Sequence, residues 1–111
     1  MLESTAEQLV VPSPIVGETG FMIGQILGGV AEARFLRALA DGELQVEQLT
    51  TTDLGRMAQL VETYGDLPLG TADASVIAVA ERLQVETVAT LDHRHFTVVR
   101  PQHVPALRLV P

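Results

Sequence analysis

Three acidic side chains, Glu18, Asp73 and Asp92, stand at positions where a carboxylate could do chemistry. Asp73 begins the most apolar predicted helix of the chain, and Asp92 follows a short apolar run. Glu18 lies in the first turns of a predicted helix that follows another apolar run. In a parallel α/β sheet, functional groups gather at the carboxyl ends of strands and at the helix starts that follow them. The pattern therefore predicts that these three carboxylates converge.

Converging carboxylates repel one another, which raises a pKa or recruits a cation. Hard oxygen ligands favour Mg²⁺ or Mn²⁺, and such ions activate water and stabilise the leaving oxygen of a phosphodiester. A shared site for a divalent cation is therefore one hypothesis for the three acids.

Each acid also has a purely structural explanation. Asp73 is favoured by the helix dipole, with a contribution of about 0.3–1 kcal/mol, and Asp92 is a common turn former. Glu18 could lie on the solvent side of its helix, although its apolar neighbours Ile15 and Met22 favour an inward or rim position.

The elements that must position these acids alternate between short apolar strands and helices. We predict helices over residues 14–27, 30–40, 53–64 and 72–83, with Thr52 or Asp53 capping the third, and strands over 9–11, 44–49, 88–91, 97–99 and 107–109. This alternation is typical of an α/β domain with a parallel sheet. No linker or repeat divides the chain, so we expect one domain over residues 1–111.

Composition limits the classes of function. The net charge of −7 argues against passive nucleic-acid binding, which needs a basic surface. A cation in an acidic pocket reverses the local sign, so metal-dependent chemistry on a phosphate backbone stays open. Cysteine is absent, which excludes disulfides and zinc–thiolate sites and is compatible with a reducing cytoplasm. The sequence predicts neither a signal peptide nor a membrane span.

The C-terminal half of the chain resembles PIN-domain proteins, especially the VapC-like ribonuclease toxins of toxin–antitoxin pairs. The matching pieces are the loop DLPLG, the helix start TADAS, the run IAVAERL and the strand end TLDHRHF. Upstream, PSPIVGETGF resembles the strand-to-helix segment of the family that carries a metal-binding glutamate. The resemblance covers nearly the whole chain and rests on the order and spacing of the set.

The resemblance implies a three-layer fold, cleavage of RNA and bound Mg²⁺ or Mn²⁺. Glu18, Asp73 and Asp92 would be the metal and catalytic carboxylates, and Thr90 would be a supporting hydroxyl. His93 and Arg94 are candidates for contact with RNA phosphate, or alternatively part of a solvated turn. The family also implies a type II toxin–antitoxin system, an antitoxin partner and a cytoplasmic location.

The sequence departs from the family pattern at its start. The family opens with a central strand that ends in an aspartate, whereas Met1–Glu3 matches the middle of the first family helix, with Ser4–Gln8 as its end. We therefore expect a sheet without its N-terminal central strand, and three acids in place of four.

Two other classes of function stay open. The chain could be a catalytically impaired PIN-like module that binds an antitoxin or dimerises. A flavodoxin-like or receiver domain is disfavoured because no acidic pair follows an early strand and the chain has no lysine. The high apolar content, 47% of residues, predicts uncovered apolar surface and a homodimer.

Overall fold

The structure, a computed structural model, describes residues 2–3, 9–67, 69–89, 99–104 and 108–110. Helices and short strands alternate along them, as predicted. In chain order the elements are β1 (Leu2–Glu3), β2 (Leu9–Pro12), α1 (Ser13–Leu27), α2 (Gly29–Ala40), β3 (Gln45–Glu47), α3 (Thr51–Thr63), α4 (Thr71–Leu83), β4 (Thr87–Ala89) and β5 (Arg108–Val110).

The described strands form one sheet in the order β3-β2-β1-β4-β5. β2 pairs with β3 in parallel, and β4 pairs with β5 in parallel. The predicted strands near residues 9–11 and 44–49 are thus present, β4 covers the described part of the strand predicted at 88–91, and the predicted C-terminal strand lies at an edge of the sheet formed by the described strands. Of the strand predicted at 97–99, only Val99 is described; it is buried and is not part of a strand among the described residues.

The centre of the sheet differs from the prediction. Leu2 and Glu3 were expected in a helix, but they form β1, which lies between β2 and β4 and is antiparallel to both. Leu2 pairs with Val10 on one side and with Val88 on the other. Buried backbone N–H and C=O groups need partners, and β1 supplies them to the two strands that it joins. The helix end expected at Ser4–Gln8 lies outside the described residues.

Helix α4 is the centre of the hydrophobic core. Every residue from Ala74 to Glu81 is buried, so no face of this segment is exposed. The helix contacts α1, α3 and β2, and its small side chains allow these neighbours to approach closely. A helix that is apolar all round is typical of a buried central element. The apolar run in the sequence therefore reflects burial on several sides.

Helices α1 and α2 form an antiparallel hairpin, and Gly28 explains the turn between them. Gly28 joins the helices with φ of +91°, a conformation that side chains with a Cβ rarely adopt. Gly24 lies where a Cβ would overlap the carboxylate of Glu32 on α2. The turn therefore needs glycine at position 28, whereas a Cβ at position 24 would require only that the flexible Glu32 side chain move.

The outer face of this hairpin carries exposed apolar side chains. Phe35 is buried, but Phe21, Met22 and Leu36 are 66%, 44% and 46% exposed. Helix α1 buries Ile15 and Gly20 and packs Val16 against the core, whereas its apolar side chains Phe21, Met22, Ile26 and Leu27 are exposed. The same is true on α3, where Met57 and Leu60 are buried while Leu54 and Val61 are exposed.

A capping box fixes the start of α3. The Thr50 hydroxyl accepts a hydrogen bond from the Asp53 N–H at 3.0 Å, and the Asp53 carboxylate accepts one from the Thr50 N–H at 2.9 Å. Thr50, and not Thr52 or Asp53, is therefore the N-cap residue. This reciprocal arrangement satisfies two backbone donors at the helix start.

Among the described helices, none is long and apolar enough to cross a membrane.

Candidate active site

Glu18 projects from α1 shortly after this helix leaves β2. The helix begins directly after Pro12, with Pro14 in its first turn, where the missing N–H of proline costs little. The Glu18 side chain is exposed, so of the two predicted orientations, inward or at a rim, only the rim position agrees with the structure. Its neighbour Ile15 is buried, whereas Met22 is 44% exposed, which places Glu18 beside the outward face of the helix.

Asp73 lies in the first turn of α4 and is half-buried. The N-cap residue of this helix is Gly70, which has no side chain to accept hydrogen bonds from the first turn. A carboxylate at this position interacts favourably with the positive end of the helix dipole. The predicted structural role of Asp73 is therefore compatible with the geometry, alongside a role in cation binding.

The helices that carry these two acids are packed against each other. Helix α1, which carries Glu18, is in contact with helix α4, which carries Asp73. Asp92, Thr90, His93 and Arg94 lie outside the described residues. Within the described part of the chain, no three His, Asp or Glu side chains form a metal-binding group. Convergence of all three predicted acids thus stays a prediction.

A second group of charged side chains lies at the other end of α4, where sequence analysis predicted nothing. Glu81 is 9% exposed and receives two hydrogen bonds from Arg56 of α3, at 2.8 Å from Nε and 2.9 Å from Nη2. Its Oε2 also accepts the backbone N–H of Gln102 at 2.8 Å. The Glu81 carboxylate therefore joins α3, α4 and the chain after Val99.

The next residue of α4 makes a parallel connection. Arg82 Nε donates to both oxygens of Asp53, at 3.0 and 3.1 Å, and its Nη2 donates to the carbonyl oxygen of Gln48. Asp53 is 2% exposed. Burial raises the pKa of Asp53, but the hydrogen bonds from Arg82 and Thr50 outweigh burial, so that the pKa is lowered from its ordinary value.

These two ion pairs line an open cavity of about 520 Å³ between α3 and α4. Two arginines face two carboxylates, so the formal charges of the pairs cancel. Asp73 and Glu18 are not among the residues that line the cavity. The two ion pairs therefore act as structural cross-links between α3 and α4. A cation site would instead need carboxylates that are not neutralised by arginine.

The sequence contains little signal for these pairs. Arg56 and Glu81 are 25 residues apart, and Asp53 and Arg82 are 29 apart, so no helical spacing connects them. The one available signal was the position of Glu81 within an apolar helix, because a buried carboxylate needs a partner.

Comparisons with known proteins agree with this fold. The PIN domain family model matches residues 1–100. The chain is also similar to "Ribonuclease VapC26" of Mycobacterium tuberculosis, with 34% identity over 100 residues, which cover 90% of this chain and 74% of that protein. The expected resemblance is thereby confirmed, and the chain belongs to the PIN-domain family as a VapC-like protein.

Proposed function

We propose that this protein is a metal-dependent endoribonuclease toxin of a type II toxin–antitoxin system, in which Glu18, Asp73 and Asp92 form the catalytic and metal-binding site. The observation that supports this most strongly is the packing of the Glu18-bearing helix against the Asp73-bearing helix in a chain of the PIN family. The ribonuclease class is taken from the VapC relative.

The donor set fits a hard divalent cation. Glu18 offers an exposed carboxylate and Asp73 a half-buried one, and oxygen donors of this kind suit Mg²⁺ or Mn²⁺. Asp92 would add a third carboxylate from the segment after β4. When bound, such a cation supplies Lewis acidity that activates water and stabilises charge on the phosphodiester.

The remaining predicted residues have supporting roles in this proposal. The Thr90 hydroxyl would orient Asp92 by a hydrogen bond, since side chains two residues apart on a strand share one face. His93 and Arg94 would contact the RNA phosphate next to the carboxylates, where the charge of Arg94 offsets the repulsion between the acidic protein and the substrate.

An antitoxin and a second copy of this chain are the proposed protein partners, and the family implies a cytoplasmic location. Exposed apolar side chains on the outer face of the α1–α2 hairpin favour the binding of a partner at this surface. Its apolar side chains include Phe21, Ile26, Leu27 and Val30, which are 66–72% exposed. Contiguous exposed apolar side chains are a mark of interaction surfaces.

The same surface favours a second candidate function, a PIN-like interaction module that binds an antitoxin or dimerises without cleaving RNA. The two candidate functions differ only in whether the chain hydrolyses RNA.

The test is incubation of the purified chain with a structured RNA and, separately, with a DNA oligonucleotide of the same sequence. We expect cleavage of the RNA in single-stranded loops with Mn²⁺ or Mg²⁺, and none with EDTA. Cleavage that continues in EDTA would contradict the metal site. Intact RNA under all conditions, together with dimerisation or antitoxin binding, would favour the interaction module.

A further inference from the structure

Ser75 carries the one hydroxyl group in the buried segment Ala74–Glu81 of α4. Its side chain is 0% exposed, and the neighbouring residues Ala74 and Val76 are buried as well. A hydroxyl that is taken out of water without a hydrogen bond costs stability, and an alanine would fill nearly the same space. Packing alone therefore does not explain a serine at this position.

The Ser75 hydroxyl donates a short hydrogen bond to the carbonyl oxygen of Ala72, at 2.6 Å. This oxygen belongs to the peptide group that joins Ala72 to Asp73. A peptide group is planar, so a bond that holds its oxygen also restrains its N–H and the Cα atom of the next residue. The buried hydroxyl is thus connected to the backbone of Asp73 through a single peptide plane.

At the N-terminal end of α4, the N-cap residue supplies no side-chain hydrogen bond, because it is Gly70. The first backbone hydrogen bond of the helix joins the Ala74 N–H to the Gly70 carbonyl oxygen, at 3.0 Å. Helix ends fray, and a side-chain cap is the usual means of stabilising them. The bond from Ser75 to Ala72 opposes fraying in the turn that carries Asp73.

We propose that Ser75 is a positioning residue for the candidate site: its hydrogen bond to Ala72 holds the first turn of α4, and with it the carboxylate of Asp73, in place. This inference rests on the proposed function, in which Asp73 binds the cation. Ser75 touches neither the cation nor the RNA and acts only through the backbone of Asp73.

The variant Ser75→Ala separates this role from a role in stability. It removes the hydroxyl, leaves a small side chain in the same space, and introduces the residue with the highest helix propensity. If Ser75 served only for packing, the variant would keep the Tm and the kcat of the parent chain. If Ser75 holds Asp73 in place, Tm should change little, whereas the first turn should open more often and kcat should fall.

Thr71 offers a matched control in the same turn. It is exposed, and its hydroxyl makes no hydrogen bond within the part of the chain that the structure describes. Thr71→Ala therefore also removes a hydroxyl from the first turn of α4, but it leaves the bond between Ser75 and Ala72 intact. This variant should keep the kcat of the parent chain.

A change at Gly70 should stabilise the turn by another route. Gly70 has φ of −84° and ψ of 173°, an extended conformation that suits serine as an N-cap residue, and a Cβ there meets nothing within 4 Å. In Gly70→Ser, the new hydroxyl can accept a hydrogen bond from an N–H of the first turn. The double variant Gly70→Ser with Ser75→Ala should therefore recover what Ser75→Ala loses.

The experiment measures amide hydrogen exchange at Ala74 in the absence of metal, and Mn²⁺-dependent RNA cleavage, for the parent chain and the three variants. In Ser75→Ala we expect faster exchange at Ala74 and a higher Mn²⁺ concentration for half-maximal cleavage. Its kcat should fall about tenfold, because a displacement of about 1 Å can cost about a hundredfold in rate. The KM for RNA should change little, and the double variant should return the exchange rate, the Mn²⁺ requirement and kcat towards the parent values.

The parent kcat in Ser75→Ala, or a lower kcat with unchanged exchange at Ala74, would overturn the inference while leaving the ribonuclease intact. An equal loss of kcat in Thr71→Ala would do the same, as would a double variant that regains slow exchange at Ala74 without regaining kcat. A parent chain without Mn²⁺-dependent cleavage would instead reject the proposed function, and this inference with it.

Discussion

At the residue scale, the contribution of one carboxylate, that of Asp53, to folding stability can be tested independently of the proposed function. Its pKa is lowered in the folded protein, so the folded state keeps it charged at pH values where the unfolded chain already binds a proton. Its contribution to stability is therefore complete above the ordinary value of 3.8 and is lost as the pH falls through the lower folded value.

We predict that Asp53→Asn lowers the free energy of unfolding at pH 7 by about 1–3 kcal/mol. The difference between the variant and the parent should shrink as the pH falls below about 4. Urea unfolding at a series of pH values measures this. Asp41→Asn, an exposed aspartate, is the control and should give a small difference at every pH. A deficit in Asp53→Asn that does not change with pH would contradict the assignment.

At the scale of elements, the hairpin of α1 and α2 depends on the backbone conformation of Gly28. We predict that Gly28→Ala destabilises the protein by about 1 kcal/mol, because φ of +91° is unfavourable for any residue with a Cβ. Gly29→Ala is the matched control: it lies at the start of α2, and a Cβ there meets nothing within 4 Å. It should be neutral or stabilising. Thermal unfolding measures the stability of the two variants. An equal change in stability in both would contradict the explanation based on the φ angle of Gly28.

The elements also show what could be predicted from sequence. Periodic apolar residues and glycine or proline boundaries predicted all four described helices to within two residues, because those signals are local. Thr50 was missed as the N-cap because Thr50, Thr51, Thr52 and Asp53 are all good cap residues, and only the geometry distinguishes them. Leu2–Glu3 was misassigned because β1 is completed by pairing with β4, which is distant in sequence and leaves no local signal.

The site was predictable in part for the same reason. Asp73 and Glu18 could be placed on their helices from local patterns, and family membership is now shown. Burial depends on packing, which a one-dimensional pattern does not contain. For Glu18 the sequence therefore left two orientations, inward or at a rim, and only the structure shows that its side chain is exposed. The Arg56–Glu81 pair joins residues that no local spacing relates.

At the scale of the whole molecule, the apolar outer face of the α1–α2 hairpin predicts self-association. Ile26, Leu27 and Val30 are 68–72% exposed around the Gly28 turn. We predict a homodimer at micromolar concentrations, and Ile26→Asp should shift the equilibrium towards monomer, since a charge at a buried interface is strongly unfavourable. Light scattering measures the mass. Gln25→Asp, at an exposed position next to it, is the control, and a monomeric parent chain would contradict the prediction.

The central claim, that the carboxylates act on RNA through a divalent cation, is tested most directly by the rate of RNA cleavage in Asp73→Asn. This change keeps the shape of the side chain, removes its charge, and should cost at most about 1 kcal/mol of stability through the helix dipole. We predict that Mn²⁺-dependent cleavage falls about a hundredfold or more, equivalent to about 2.7 kcal/mol in the barrier, while Asp41→Asn cleaves at the parent rate. An Asp73→Asn variant that is folded and retains the parent rate would contradict the account, because Asp73 would then serve only to stabilise α4.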